Sequence, residues 1–298
     1  MERTEKFTEI INQAGLNWSV RSEEIETKSG IIIPKHIALI REDTNGILGL
    51  HKDGYSMYQN DELLELLFAI STHTGLELKG GGMFDEGKKV FFQLKSLDLD
   101  LNGDRIEGSI TGINSFDGST SLSFGNSNKT ISCRNTFFMV YKTLTSKFRH
   151  SATMRSRVEE VLKQIGHLVE EEKKTFKTIE RMANVRMDAG VRELVTRMMF
   201  DIKKEDSLAS DEFSTNKKNR MAKFGFDLDG EIANKMIKFN KDVDGEIAQK
   251  EPTLWGLFSG VTKYTTHSMK KDGNEEAKIF GAVGVKEREI FSMLSEMV

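Results

Sequence analysis

Apolar residues change their spacing about halfway along the chain. Between residues 31 and 131, short β-rich runs are separated by Gly, Asn and Asp, a pattern typical of β-hairpins. From residue 135 to about residue 204, apolar residues recur every three or four positions, which predicts amphipathic helices. The sequence therefore predicts an α+β fold, with antiparallel β-hairpins packed on helices in the N-terminal half and a mostly helical C-terminal half.

The β-rich half contains four candidate hairpins. Asn45-Gly46 joins the first pair of runs and suits a type I′ turn, because both central residues of that turn need a positive φ. The second hairpin is expected to turn between Asp85 and Gly87. The third and fourth hairpins are expected within residues 99–116 and 119–133.

One helix interrupts the hairpins. It is predicted over residues 60–75, with Asn60 as its N-cap. We expect a β-rich α+β domain over residues 1–157, which ends in the basic start of a helix. Residues 158–298 are expected to form a helical region that closes back on the core of this domain.

The composition indicates a soluble protein. The chain has 298 residues, a net charge of -3 and one cysteine, Cys133, so it cannot form an intramolecular disulfide. The charged N-terminus lacks the apolar segment of a signal peptide, and no apolar run approaches the roughly 20 residues that span a bilayer. We expect a cytoplasmic protein with no membrane partner.

Positive charge is concentrated in residues 118–158, which we call the basic window. The window contains seven Lys and Arg residues and neither Asp nor Glu, although the whole chain is acidic. An ordinary solvated helix mixes charges of both signs, because oppositely charged residues four positions apart stabilise it. The absence of acids therefore indicates an anionic partner.

Aromatic residues alternate with these cations, a mixture that suits single-stranded nucleic acid, because cations contact phosphates while rings stack on bases. Lysines of the second hairpin could extend the same surface. The candidate nucleic-acid-binding residues are Lys88, Lys89, Arg134, Phe138, Tyr141, Lys142, Lys147, Arg149, His150, Arg155 and Arg157. The alternative interpretation is a helix from Thr136 to Leu144 whose phenylalanines face the core and whose lysines face solvent.

Signatures of enzymes are weak. Residues 79–89 are rich in Gly and Lys but lack the spacing of a phosphate-binding loop. A run from Asp98 begins like a calcium loop, yet its twelfth position is Ser109 in place of the bidentate Glu. The histidines lack zinc-ligand spacing, and Cys133 has no second cysteine with which to share a metal. We predict no cofactor and no metal, and the sequence favours a binding protein over an enzyme.

Two groups of carboxylates keep a metal-dependent enzyme open as an alternative. One consists of Asp98, Asp100 and Asp104. The other comes from the sequence D-x-D-G-E-I-A, which begins at Asp227 and again at Asp242, although Asp and Gly before a helical run are also ordinary residues at a helix start. Either group would bind a divalent cation in a nucleic-acid enzyme.

The C-terminal segment carries a specific pattern. It consists of Trp255-Gly256, Val261-Thr262, Tyr264, His267 and the run FGAVGVKER at residues 280–288. Together with NWSV, GKKVFFQL, NSFDGSTSL and CRNTF earlier in the chain, this pattern resembles a family of phage- and plasmid-borne proteins known as domain of unknown function 932. Residues 258–260 depart from the family's pattern. The resemblance implies a mobile-element origin and intracellular action, in the host cytoplasm if the protein is phage-encoded. It implies no catalytic residues.

These observations lead to one functional hypothesis and two alternatives. Hairpins that lead into a long helix are similar to the β-β-β-α core of single-strand annealing recombinases, so we expect a homo-oligomeric phage-type protein that binds and anneals single-stranded DNA without nucleotide hydrolysis. Its further partners would be host or phage recombination or replication proteins. The alternatives are the metal-dependent nucleic-acid enzyme and a phage factor that binds a host protein through a methionine-rich surface.

Overall fold

The secondary structure of the chain follows from a computed structural model. The structure describes residues 3–101, 104–130, 136–138, 147–148, 158–202, 230–269 and 281–298. The N-terminal elements are α1 (Arg3–Gln13), β1 (Val20–Glu26), β2 (Ile32–Arg41), β3 (Ile47–Lys52), α2 (Asn60–Thr74), β4 (Glu77–Phe84), a 3-10 turn (Asp85–Gly87), β5 (Lys89–Leu101), β6 (Asp104–Ser115) and β7 (Leu122–Thr130). The later elements are β8 (Thr136–Phe138), β9 (Lys147–Phe148), α3 (Val158–Asn184), α4 (Ala189–Phe200), α5 (Gly230–Lys250), α6 (Leu254–Lys263), a π-helical turn (Tyr264–Ser268) and α7 (Ala282–Ser295).

The strands form two sheets. The first has the order β1-β2-β3, with both pairs antiparallel. The second has the order β4-β5-β6-β7-β8, and β9 also pairs with β7. The predicted α+β fold with antiparallel hairpins and a helical C-terminal half is confirmed. In the part of the chain that the structure describes, no helix is long and apolar enough to cross a bilayer.

Local turn predictions had mixed outcomes. The second hairpin is confirmed, because β4 and β5 pair across the turn Asp85–Gly87. The type I′ turn at Asn45-Gly46 is wrong, because Asn45 has a φ of 55° while Gly46 does not adopt a positive φ. The register between β2 and β3 shifts between Leu39 and Ile40, as at a β-bulge, close to the turn that joins these two strands.

The start of α2 also differs from the prediction by one residue. The helix begins at Asn60, and Gln59 is its N-cap, with the Gln59 backbone N–H donating to the Glu62 carboxylate at 2.9 Å. The Asn60 amide is buried and donates to the carbonyls of Leu16 and Trp18 at 3.2 and 3.1 Å. Because this amide joins α2 to the chain before β1, it is not used for capping.

The chain divides into two compact units that are discontinuous in sequence. The first comprises Met1–Asp98, Glu107–Ser127 and Met139–Lys173, and the second comprises Leu99–Ile106, Asn128–Phe138 and Lys174–Val298. The predicted domain boundary at residue 157 lies outside the described residues and stays a prediction.

Each unit has its own apolar core. In the first, Leu63 and Leu67 of α2 pack with Phe92 of β5, Phe124 of β7 and Ile165 of α3. This core covers one face of the larger sheet, because Val90, Phe92 and Leu94 alternate along β5.

The core of the second unit is aromatic. Phe239 of α5 makes edge contacts with Phe200 and Tyr264, with ring centroids 5.6 and 5.4 Å apart. Helices α5 and α6 approach closely at Gly260, where a Cβ would lie 2.5 Å from the Cα of Val243. A side chain at position 260 would therefore force these helices apart.

Candidate nucleic-acid interface

The described strands of the basic window, β7, β8 and β9, lie together in the larger sheet. The window begins just before β7, and the register brings Lys147 and Phe148 of β9 opposite Ser123 and Leu122 of β7. It ends at the first residue of α3, and Asn126 of β7 donates to the carbonyl of Leu168 in α3 at 2.9 Å. In the first unit, the first strand of the window and the helix that follows the window are thus anchored to each other.

Hydrogen bonds across strands fix β5, β6 and β7 on the face away from the core. Gln93 of β5 donates to the hydroxyls of Thr111 on β6 and Ser127 on β7 at 3.2 and 3.3 Å. The Thr111 and Ser127 hydroxyls bond each other at 2.8 Å and are buried. Buried polar groups that satisfy one another in this way rigidify their surroundings, so β5, β6 and β7 are held rigidly together.

Most of the predicted window residues lie outside the described residues. Phe138 lies in β8 and Lys147 in β9. The structure does not describe the other predicted window residues, which are Arg134, Tyr141, Lys142, Arg149, His150, Arg155 and Arg157. Their role in binding stays a prediction.

The alternative helix from Thr136 to Leu144 is wrong over its described part. Thr136–Phe138 is the strand β8, next to β7 in the sheet order. A β-branched Thr and two Phe residues favour a strand when a sheet edge is available for pairing, and that edge overrides the helical spacing of the apolar residues.

The hairpin lysines are balanced by nearby carboxylates. Lys88 Nζ lies 2.9 Å from Asp85 Oδ2, and this hydrogen bond raises the pKa of Lys88. Lys89 is buried, with its Nζ 3.4 Å from Asp117 Oδ2. Because these acids neutralise much of the local charge, the two lysines add less positive potential than the sequence suggests.

An aromatic pair next to these lysines was not predicted as part of the site. Phe84 at the end of β4 stacks on Phe91 of β5, with centroids 5.1 Å apart and planes 22° apart. Both rings are half-buried, and Gly82 lies opposite Phe91, where a Cβ would come within 3.0 Å of the ring. The signal in the sequence was the FDEGKKVFF run, in which aromatic residues flank an acidic turn and the two lysines that follow it.

Three of the aspartates considered as metal ligands, Asp98, Asp104 and Asp244, are paired with cations. Asp98 Oδ2 lies 3.2 Å from Lys95 Nζ. Asp104 Oδ2 lies 2.6 Å from Lys250 Nζ, and Asp244 Oδ1 lies 2.7 Å from an Arg192 nitrogen. Within the described ranges, no three His, Cys, Asp or Glu residues are grouped as metal ligands would be.

The second copy of the repeat is not a helix start. Asp242 to Glu246 lie within α5. The interpretation of the Asp and Gly residues of the repeat as a helix start is therefore wrong for the second copy. Glu246 is fully buried, and its two oxygens lie 3.2 Å from Lys250 Nζ and 3.1 Å from Lys263 Nζ. The repeat therefore supplies buried ion pairs within the second unit. The four-residue spacing of Glu246 and Lys250 was the only signal of this in the sequence.

Glu172 is a second buried carboxylate that sequence reasoning missed. It lies on α3 within the first unit and accepts a hydrogen bond from the Leu97 backbone N–H at 3.3 Å. Gly108 makes room for it, since a Cβ there would lie 2.4 Å from Glu172 Oε1. Burial raises the pKa of Glu172 to about 7, against the opposing effects of the Ser96 hydroxyl and the Leu97 amide.

Comparison with known proteins identifies a family. The model of the family described as domain of unknown function (DUF932) matches residues 47–288. The chain belongs to the DUF932 family. No curated protein and no solved structure matches the chain. The DUF932 match begins at the first residue of β3 and includes the entire basic window, whereas α1, β1 and β2 precede it.

Proposed function

We propose that this protein binds single-stranded DNA and anneals complementary strands without nucleotide hydrolysis. The observation that carries the proposal is the acid-free basic window, two strands of which, β7 and β9, pair with each other with Lys147 opposite Ser123. Cations on a rigid edge can neutralise consecutive phosphates of an extended strand.

The half-buried rings of Phe84 and Phe91 support a role for stacking. Strand order separates β5 from β9 by β6 and β7, which at the usual strand spacing of about 4.8 Å corresponds to roughly 14 Å. An extended single strand could cover this distance with a few nucleotides, stacking bases on the aromatic pair while its phosphates contact the window. Duplex DNA does not offer unstacked bases to such rings.

The order of elements supports annealing by analogy. The strands β5, β6 and β7 are consecutive neighbours, and the long helix α3 follows after the short strands β8 and β9. This order is similar to the β-β-β-α core of single-strand annealing recombinases, an analogy at the level of fold. In such a mechanism base pairing supplies the free energy, and the protein holds the strand extended.

Binding should prefer single strands and weaken steeply with salt. If four to six cations of the window contact phosphates, the logarithm of the association constant should fall against the logarithm of salt concentration with a slope of about -3 to -4. Fluorescence anisotropy with a labelled single strand, and with a duplex of the same length, measures both properties. Equal or tighter binding to the duplex would contradict stacking, and a slope near zero would contradict phosphate contacts.

Annealing is tested separately. Added protein should accelerate the pairing of two complementary strands without ATP, because held strands meet in an extended form. One strand carries a fluorescent dye and the other a quencher, so the decrease in fluorescence over time measures the rate of pairing. Binding with the expected salt slope but no faster pairing would leave a passive single-strand-binding protein.

A further inference from the structure

The turn between β4 and β5 has an unusual backbone. Asp85, Glu86 and Gly87 have φ values of 46°, 55° and 103°, so three successive residues have a positive φ. Glycine adopts a positive φ without steric cost, whereas residues with a Cβ atom rarely do. Strain of this kind persists only where neighbouring groups hold it, and it is concentrated at sites that bind ligands. The contacts around the turn therefore decide whether it keeps this form.

Arg41, the last residue of β2, holds the turn from outside the hairpin. Its Nη1 atom donates to the Glu86 carbonyl at 2.9 Å. Its Nε and Nη2 atoms donate to the two oxygens of the Asp43 carboxylate at 2.7 and 2.9 Å, and only 12% of the side chain is exposed. Because this bidentate pair fixes the plane of the guanidinium, the remaining nitrogen is aimed at the Glu86 carbonyl.

Trp18 completes the support of the turn. Its ring is buried, its centroid lies 4.4 Å from Arg41 Cζ, and its Nε1 atom donates to the Gly15 carbonyl at 2.9 Å. Gly87 approaches the same ring, since a Cβ there would lie 2.9 Å from Trp18 Cζ2. Position 87 therefore requires glycine for its φ and for the close approach of the ring. Trp18 and Arg41 precede the DUF932 match, while the turn lies within it.

The turn leads directly from the aromatic pair of the proposed stacking surface. Phe84 precedes the turn, and the ladder between β4 and β5 ends with Phe84 opposite Lys89. Phe91 lies opposite Gly82, and its ring stacks on the ring of Phe84. The path of the turn therefore sets the position of Phe84 relative to Phe91.

The cations next to the turn contribute little attraction for phosphate. Each is paired with a carboxylate: Lys88 with Asp85, Lys89 with Asp117 and Arg41 with Asp43. Stacking on an uncharged base requires no unpaired cation, because the ring supplies the contact. The surroundings of the turn thus suit a base better than a phosphate.

We propose that Arg41 and Trp18 are positioning residues, which hold the turn so that the Phe84–Phe91 pair stacks on an unpaired base. The inference rests on the proposed function. It adds that this surface recognises bases, whereas the basic window contacts phosphates.

An abasic strand separates this role from phosphate contacts, because it keeps the phosphates of a single strand and lacks the bases. The unmodified chain should bind a base-containing strand more tightly than an abasic strand of the same length. R41A should weaken binding of the base-containing strand by about fivefold or more, the size of one lost stacking contact, and should leave binding of the abasic strand unchanged. R41K keeps the charge and one donor group, so it should restore part of the affinity. Fluorescence anisotropy measures all these affinities.

R21A controls for the loss of one positive charge. Arg21 lies on β1 of the same sheet as Arg41 and forms an ion pair with Glu23 at 2.7 Å, away from the β4–β5 turn. This variant should bind both strands as the unmodified chain does.

G87A tests the turn without a change of charge. A Cβ at this positive φ, close to the Trp18 ring, should disturb the turn and reproduce the effect of R41A. G80A is the matched control in the same hairpin, because a Cβ at Gly80 would have no neighbour within 4 Å. Far-UV circular dichroism should be unchanged in these variants. Without DNA, the Lys88 amide, which donates to the Asp85 carbonyl at 3.0 Å, should exchange its hydrogen faster in R41A and G87A than in G80A.

The outcomes separate this inference from the proposed function. Equal weakening for both strands in R41A would overturn the positioning role and leave the proposed function intact. The same conclusion would follow if R41A and G87A bound the base-containing strand as tightly as the unmodified chain. An unmodified chain that binds neither strand would overturn the proposed function, and this inference with it.

Discussion

Replacing Lys147, Arg149, Arg155 and Arg157 with alanine is expected to weaken binding of single-stranded DNA by about 100-fold or more at roughly 0.1 M salt. Each phosphate contact contributes a factor of about five under these conditions, so three of the four contacts already account for roughly 100-fold. Fluorescence anisotropy measures the loss. The salt slope should become shallower by about 0.7 for each contact removed.

A matched variant controls for net charge. The substitutions K163A, K177A, R181A and K235A remove the same number of positive charges from exposed positions on α3 and α5. This variant should bind almost as tightly as the unmodified chain, because its cations lie outside the basic window. Far-UV circular dichroism should be unchanged in both variants. Equal losses of affinity would mean that only net charge attracts DNA and that the basic window has no special role.

The E172Q variant is expected to remove a pH dependence of stability of about 3 kcal/mol. Burial raises the pKa of Glu172 from an ordinary value of 4.5 to about 7, so the folded chain holds this proton more tightly than the unfolded chain. A pKa difference of this size between the folded and the unfolded chain changes the free energy of unfolding by about 3 kcal/mol. The stabilisation is complete below about pH 4.5 and is lost as the pH rises through 7.

Urea unfolding between pH 5 and pH 8 measures this linkage. The free energy of unfolding of the unmodified chain should fall across this range, because ionised Glu172 must be buried next to Leu97 and Gly108. E172Q keeps an oxygen that accepts from the Leu97 amide, and it cannot ionise. Its free energy of unfolding should therefore vary less with pH, and its stability relative to the unmodified chain should increase as the pH rises.

Glu180 provides the control, since it is exposed on the same helix. E180Q should retain the pH profile of the unmodified chain. If E172Q showed the same decline between pH 5 and pH 8, the burial of Glu172 would not control the pH dependence.

The prediction of the site was limited by contacts between distant residues. Lys88 and Lys89 looked like an extension of the basic window, since the sequence does not show that Asp85 and Asp117 come within 3.4 Å of them. Glu172 looked like one more solvated acid of a charged helix. Its burial depends on Gly108, 64 positions earlier in the printed sequence, and no local pattern encodes that contact.

Periodicity and turn chemistry by themselves determined the α+β class, the hairpin at Asp85–Gly87, the presence of the helix α2 and the helical second half. These features follow from interactions within a few residues, where side-chain spacing and backbone preference act directly. The tertiary structure alone decided that Thr136–Phe138 is a strand and that the second D-x-D-G-E repeat lies within a helix. The neighbouring β7 edge and the lysines that face Glu246 stabilise these outcomes, and the free energy of such long-range contacts exceeds the small local preferences.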